Sequence, residues 1–317
     1  MPTRVEEDAT LARHRTGQNG LVPTQSLIVL NQPSAAAPPH NADAAPFAEA
    51  DPSAPLLSAL DLGATRGDGI FETISVGDSS PQALEHHLRR FVHSAAALEL
   101  PPPDVDVWRA AILAAIERLG PAPEAALKTV MTRGVEGDGR PTGWVHATHS
   151  PDFSQQRANG IRVVTLDRGY RHDVERTSPW LLAGAKTLSY AINRAVLREA
   201  ARRGADDVIF VSSDGFVLEG PTSSVVYRVD NRLLTPGTGL GILDGTTQAS
   251  IFRYAESIGF ETGFEQITVA QLRRADAAWL VSSVRHAAPV RELDGAAFPV
   301  DPELSAGINA YLRTLRD

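Results

Sequence analysis

The densest chemistry in the chain lies in residues 184–228, GAKTLSYAINRAVLREAARRGADDVIFVSSDGFVLEGPTSSVVYR. An amine, Lys186, stands just ahead of a helical run. A single acid, Glu219, ends a downstream strand before Gly220 and Pro221. A neutral lysine amine attacks carbonyl carbon, and an acid held nearby can pair with a cationic ring nitrogen. Together they could build a site for an aldehyde cofactor. Each also has a plainer reading, Lys186 as a solvated surface lysine and Glu219 as a strand-terminal surface acid. Of the 30 lysines and arginines, only Lys128 and Lys186 are lysine.

Further along, GILDGTTQAS runs into a helix, with Thr246 and Thr247 at its N-terminus. The first N–H groups of a helix lack partners, and hydroxyls add donors, so a phosphate is well received there. An ordinary capped helix is the alternative. The segment is not a Walker loop, since no Gly-Lys-Ser/Thr follows, and GTGLG does not follow the first strand of a dinucleotide-binding unit. Arg89 and Arg90 sit on an earlier helix; one faces solvent, and Arg90, beside Phe91, can turn inward toward an anion. SSVRH, residues 282–286, sets two hydroxyls, an arginine and a histidine after the buried strand WLV. His86, His87 and His93 have no metal-ligand spacing, and no histidine fits HExxH. His146 and His149 flank a strand end.

Composition bounds the rest. The chain has 317 residues, 43% of them hydrophobic, enough for one large or two smaller domains. A formal charge of −8 argues against binding nucleic-acid backbone. With no cysteine, disulfides, thiolate catalysis, iron–sulfur clusters and cysteine zinc sites are excluded. No apolar run approaches a membrane span, and MPTRVEEDATLARHRTG lacks a signal-peptide core. The cytoplasm is the expected compartment.

The elements that must position these residues read as follows. Residues 1–55 form an N-terminal extension, partly loop or disordered, with LIVL at 27–30 as one short strand; ordered structure starts near Leu56. A small α+β domain covers 56–150. It has a turn at Gly67–Gly69, a strand IFETISV, helices over 84–100 and Val105–Leu119, and strands at 126–133 and 144–150. Residues 151–160 are a linker. The larger domain, 161–317, carries Lys186, a helix over Tyr190–Arg203, and a hairpin of strands 207–212 and 216–219 about Asp214–Gly215. Strands about Asp230–Asn231, a helix after the glycine-rich loop, a strand pair over 277–293 and a C-terminal helix complete it.

Taken together, these segments resemble the class IV aminotransferase family, the fold-type IV pyridoxal-phosphate enzymes. RGDGIFETISV looks like the family's N-terminal turn and strand. HLRRF is similar to its His-Leu-x-Arg-Leu helix, with phenylalanine in the last place. AKTLSYAINRAVLREAARRGADDVIFVSSDGFVLEG resembles its central signature and GILDGTT its phosphate loop. The resemblance implies an α+β fold of two domains with mixed and antiparallel sheets, a homodimer, and pyridoxal 5′-phosphate bound covalently by Lys186. It implies Glu219 at the pyridine nitrogen and Arg90, Thr246, Thr247 and Ser283 on the phosphate. Arg133, Arg285 and His286 are candidates for a substrate carboxylate. LKTVMTRG is similar to aminodeoxychorismate lyases and also to some D-amino-acid and amine transaminases, KTLSYAIN resembles the lyase and archaeal-type pattern, and EGPTSSVV departs from branched-chain enzymes. The implied reaction converts 4-amino-4-deoxychorismate to 4-aminobenzoate and pyruvate, for folate synthesis. The alternative is an aminotransferase acting on D-amino acids, branched-chain L-amino acids or amines. No metal, nucleic acid or membrane is implied.

Overall fold

A computed structural model describes residues 24–316. Two sheets organise it. The first is antiparallel throughout and comprises β1 (Gln25–Leu30), β2 (Phe47–Ala50), β3 (Gly69–Gly77), β4 (Ser80–Pro81), β5 (Glu124–Thr132) and β6 (Thr142–His149), in the order β2-β1-β6-β5-β3-β4. The second is mixed and comprises β7 (Ile161–Asp167), β8 (Asp207–Val211), β9 (Ser224–Val229), β10 (Arg232–Thr235), β11 (Glu261–Phe264), β12 (Ala277–Ser282) and β13 (His286–Leu293). Its order is β11-β10-β9-β12-β13-β7-β8, with β14 (Ala296–Ala297) on β13.

Helices follow the same order: α1 (Leu62–Arg66), α2 (Leu84–Ala97), α3 (Val105–Leu119), α4 (Ser154–Asn159), α5 (Val174–Thr177), α6 (Ala191–Arg202), α7 (Thr246–Ser257), α8 (Val269–Leu272) and α9 (Pro302–Thr314). Leu84, Leu88, Phe91 and Ala95 recur at helical spacing, so α2 buries one stripe against β3 and α3. Asp104 starts α3 by accepting the Val107 N–H, and Asp301 starts α9 by accepting that of Leu304. In the second sheet the two-residue period of a strand splits neighbours between two cores. Val225 and Tyr227 pack on one face, and Val226, with Trp279 and Val281, packs under α7 and α9 on the other.

Three expectations need correction. Order does not begin at Leu56: β1 is an interior strand paired with β2 and β6, and Ile28 and Leu30 lie in the first core. The Ala/Pro-rich run after it hides a four-residue edge strand and is tied down where His40 Nε2 meets the Pro141 carbonyl at 3.0 Å. Residues 1–23 of the expected extension lie outside the described residues. The 151–160 stretch is no free linker, because α4 fills it and packs on β13, with Arg157 ion-paired to Glu124 at 3.1 Å. Finally, 216–219 is not a continuous strand. Leu218 bonds back to Phe210, but Val217 donates to Ile267, so the chain is shared between two neighbours.

Candidate active site

A cavity of about 650 Å³ is walled by β3 and β5 of the first sheet, the 180–193 segment, the loop after β8, the start of α7 and the β12–β13 turn. Lys186, Arg90, Glu219, Thr246, Thr247, Ser283 and Arg285 all line it.

Lys186 is positioned by β3. Its N–H donates to Ser94 Oγ at 3.1 Å, its carbonyl accepts from Phe71 at 3.1 Å, and Leu188 donates to the Gly69 carbonyl at 2.8 Å. A Cβ on Gly69 would stand 2.7 Å from the Met131 carbonyl and 2.8 Å from Leu188 Cδ1, so only glycine lets this strip lie against the strand. The Lys186 amine sits 4.3 Å from the Phe71 ring centroid. The residue opens partly onto the cavity, but protein surrounds the amine. Burial therefore pulls its pKa down to about 8; Glu72 opposes this and Arg90 adds to it. The neutral fraction near neutral pH is thereby far larger than that of an ordinary lysine, which is what a nucleophilic amine needs.

Glu219 is 7% exposed. Oε1 accepts from Arg168 Nη1 at 2.8 Å, and Oε2 accepts the Leu243 N–H at 3.1 Å. A carboxylate offers about four acceptor positions, so two protein bonds leave capacity for a ligand N–H. Arg168 is held over the Tyr170 and Phe210 rings.

Thr246 and Thr247 open α7. A Cβ on the preceding Gly245 would lie 2.4 Å from Ser224 Oγ, so glycine brings the chain close to β9. Thr246 Oγ1 and Ser283 Oγ are 3.4 Å apart. Arg89 is exposed, as the helix reading requires, and Arg90 turns in. Arg90 Nε and Nη2 each donate to Glu72 at 2.6 Å, and Nη1 donates to the Asp244 carbonyl at 2.8 Å. Three of its five N–H groups are thus committed and two remain. The Glu72 carboxyl, fully buried, is held far below the ordinary range: Arg90 and His87 outweigh the cost of burial. This donor set fits pyridoxal phosphate. It offers an amine for the aldehyde, an acid with free lone pairs for the ring nitrogen, and hydroxyls, a helix start and a cation for the phosphate.

The substrate assignments divide. Arg285 lines the cavity; Nη1 pairs with Asp207 at 2.7 Å, while Nε and Nη2 are buried without a partner. Arg133 does not reach the cavity. It pairs with Asp68 at 2.6 Å, caps the end of α2 through the Leu98 carbonyl, and lines an adjacent cleft. His286 also turns away. It sits at φ +62, buried, with Nδ1 3.3 Å from Arg157 Nη1 and its pKa pushed down to about 4, mainly by burial. Partners distant in the chain hold both of these substrate-carboxylate candidates.

Sequence reasoning passed over Glu72, His87 and Arg168, whose partners are far away in the chain, and Lys128. Lys128 lines the cavity 5.7 Å from the Phe71 centroid, and its scarcity as one of two lysines was its only signal.

The sequence profile of the family Amino-transferase class IV matches residues 69–293. A bifunctional aminodeoxychorismate lyase / D-amino acid transaminase of Mycobacterium tuberculosis is 46% identical over 261 residues, 79% of this chain and 90% of its own. The solved structure of CpuTA1, a fold IV-transaminase of Curtobacterium pusillum, has a TM-score of 0.88 at 56% identity, covering 92% of this chain and 98% of that one. A hypothetical aminotransferase of M. tuberculosis in its α-ketoglutarate- and PMP-bound form has a TM-score of 0.81 at 44% identity, with 84% and 96% covered.

Proposed function

The chain belongs to the amino-transferase class IV family and is a pyridoxal-phosphate-dependent enzyme of the α+β fold type IV; on that premise we propose that it is an aminodeoxychorismate lyase, releasing 4-aminobenzoate and pyruvate from 4-amino-4-deoxychorismate. The observation that carries this reading is the 46% identity to the bifunctional M. tuberculosis enzyme across nine-tenths of that enzyme's length. The cavity agrees with a substrate bearing two carboxylates. Lys128 has no acid partner among the described residues, and Arg285 keeps two nitrogens, Nε and Nη2, unpaired.

When bound, pyridoxal phosphate supplies a ring that withdraws electrons from the carbon bearing the substrate amine. The protein does the rest. Arg90, Thr246, Thr247 and Ser283 hold the phosphate, and Glu219, oriented by Arg168, keeps a proton on the ring nitrogen. The Lys186 amine would take the proton from the amine-bearing carbon and hold it at Nζ. Lys128 takes one substrate carboxylate, in place of Arg133 and His286. Arg285, which also lines the cavity, is assigned the other.

A second reading is an aminotransferase acting on D-amino acids, branched-chain L-amino acids or amines, favoured by the likeness to the transaminase CpuTA1 and to the α-ketoglutarate-bound form. Here the proton held at Lys186 Nζ would not be returned to the carbon it came from. Product analysis separates the two. Pyruvate and 4-aminobenzoate appearing without any 2-oxo acid support the lyase, whereas turnover only with an amino donor and a 2-oxo acid replaces it with the transaminase.

We further propose a homodimer. Trp180 and Ile192 are 73% and 68% exposed at the mouth of the cavity, an apolar rim that a second copy would cover. The two sheets are taken as two domains meeting at the site. A cytoplasmic role in folate synthesis follows from this reading. No helix among the described residues is long and apolar enough to cross a membrane.

A further inference from the structure

His87 belongs to the helix that supplies Arg90, and it helps keep Glu72 ionised. It is 1% exposed. Nδ1 stands 2.7 Å from Glu72 Oε2, and Nε2 lies 3.3 Å from both Thr246 Oγ1 and Ser283 Oγ. The ring therefore joins the acid behind Arg90 to two of the hydroxyls read as phosphate ligands. The ionised Glu72 carboxylate only accepts, so Nδ1 carries a hydrogen. The charged and titratable groups facing the imidazole are Glu72 on β3, Arg90 on α2, Lys186 ahead of α6, and His286 across a small cavity behind it. Burial holds the imidazole below its ordinary range, with Glu72 opposing, so the ring is neutral in this state. Its bare Nε2 then accepts a hydroxyl hydrogen that a phosphate would otherwise receive.

A phosphate dianion changes the balance. Glu72 already neutralises Arg90, so the incoming charge meets no net positive partner there. Beside the buried Glu72 and His87, an unbalanced charge is costly. Nε2 is the protein atom in the cluster that touches both hydroxyls and can take up a proton. An imidazolium there would donate to the two hydroxyl oxygens, leaving both their hydrogens for the phosphate. It would also keep its bond to Glu72.

We propose that His87 is a proton-loading positioning residue: phosphate binding at Thr246 and Ser283 draws one proton from solvent onto His87 Nε2, and the imidazolium turns both hydroxyls toward the phosphate. This rests on the phosphate reading of that loop. The consequence is that phosphate affinity rises as pH falls, over the range between the two His87 pKa values, by about tenfold per unit.

The test uses cofactor-free protein carrying nitrogen-15 histidine, with methyl phosphate as the probe. At pH 8 a phosphate monoester is a dianion, its second pKa being about 6, so the ligand releases no proton, and it carries no aldehyde or ring to titrate. His87 is assigned by the signals lost in His87→Asn. The expected result is one bare and one protonated ring nitrogen without methyl phosphate, and two protonated nitrogens at saturation. Calorimetry in two buffers of different ionisation heat should show proton uptake larger by about one in the wild type than in the variant. Should His87→Asn not fold, the wild-type spectrum still decides, because one of nine histidines must gain a proton on binding. Binding with the bare nitrogen retained overturns the inference and leaves the phosphate site standing. Absence of binding at millimolar probe removes the phosphate site and the inference with it.

Discussion

Two buried acid–arginine pairs flank the short Leu243–Asp244 loop, and they differ in one respect. Glu72 accepts two bonds from Arg90 and one from His87. Glu219 accepts one from Arg168 and one from the Leu243 N–H. The first acid is nearly saturated by protein and sets the shape of the phosphate side. The second keeps lone pairs for something else. In a buried site the number of partners an acid already has separates a strut from a reacting group, and the residue type does not.

The sharpest way to break this contrast is to exchange each acid for its amide. Glu219→Gln should lower kcat by about 10² to 10³, the scale of a lost electrostatic contact to the reacting system, with little change in the denaturation midpoint. Glu72→Gln should do the opposite. It leaves Arg90 buried without its counter-charge and should cost about 3 kcal/mol or more in stability, read by urea unfolding. If Glu219→Gln proves the more destabilising of the two, the assignment of roles fails.

The Lys186 amine gives a pH test between these pairs. Its pKa is drawn down to about 8, so the neutral, reactive form dominates above pH 8 and falls about tenfold for each unit below it. The rate at which cofactor-free protein takes up pyridoxal phosphate covalently should rise over that range and level off above pH 8. A rate still climbing toward pH 10 would mean an amine in an ordinary, solvated setting.

The smallest expected effect concerns Lys128. Lys128→Met should raise KM for the substrate with two carboxylates by about tenfold, the loss of one exposed charge contact of about 1.4 kcal/mol, with kcat nearly kept. Equal losses for mono- and dicarboxylic substrates would remove it from substrate binding.

Much of the site could be read from sequence because its parts lie in short local patterns. Arg90 within HLRRF, Lys186 within AKTL, Glu219 at a strand end and Thr246–Thr247 at a helix start are each set by their own segment, and all line one cavity. Arg133 and His286 look equally free in sequence. All three have a partner far off in the chain, Asp68 lying 65 residues from Arg133 and Arg157 129 from His286, and what sets Arg285 apart is that it still lines the cavity with Nε and Nη2 unpartnered. Arg168 escaped for the same reason, since its acid lies 51 positions on. The short strand β2 was obscured differently, although LIVL at 27–30 reads as a strand. Alanine and proline dominate 31–55, so the composition reads as loop although β2 pairs with β1 there.

The account stands or falls on Lys186, and the chain offers an unusually clean test of it. The only two lysines, Lys128 and Lys186, both line the cavity. Borohydride reduction of the holoenzyme fixes the cofactor to whichever amine holds it, and peptide mass mapping then finds the added group. The account predicts it on the peptide carrying Lys186 and nowhere else; a label on Lys128, or on neither lysine, would contradict it.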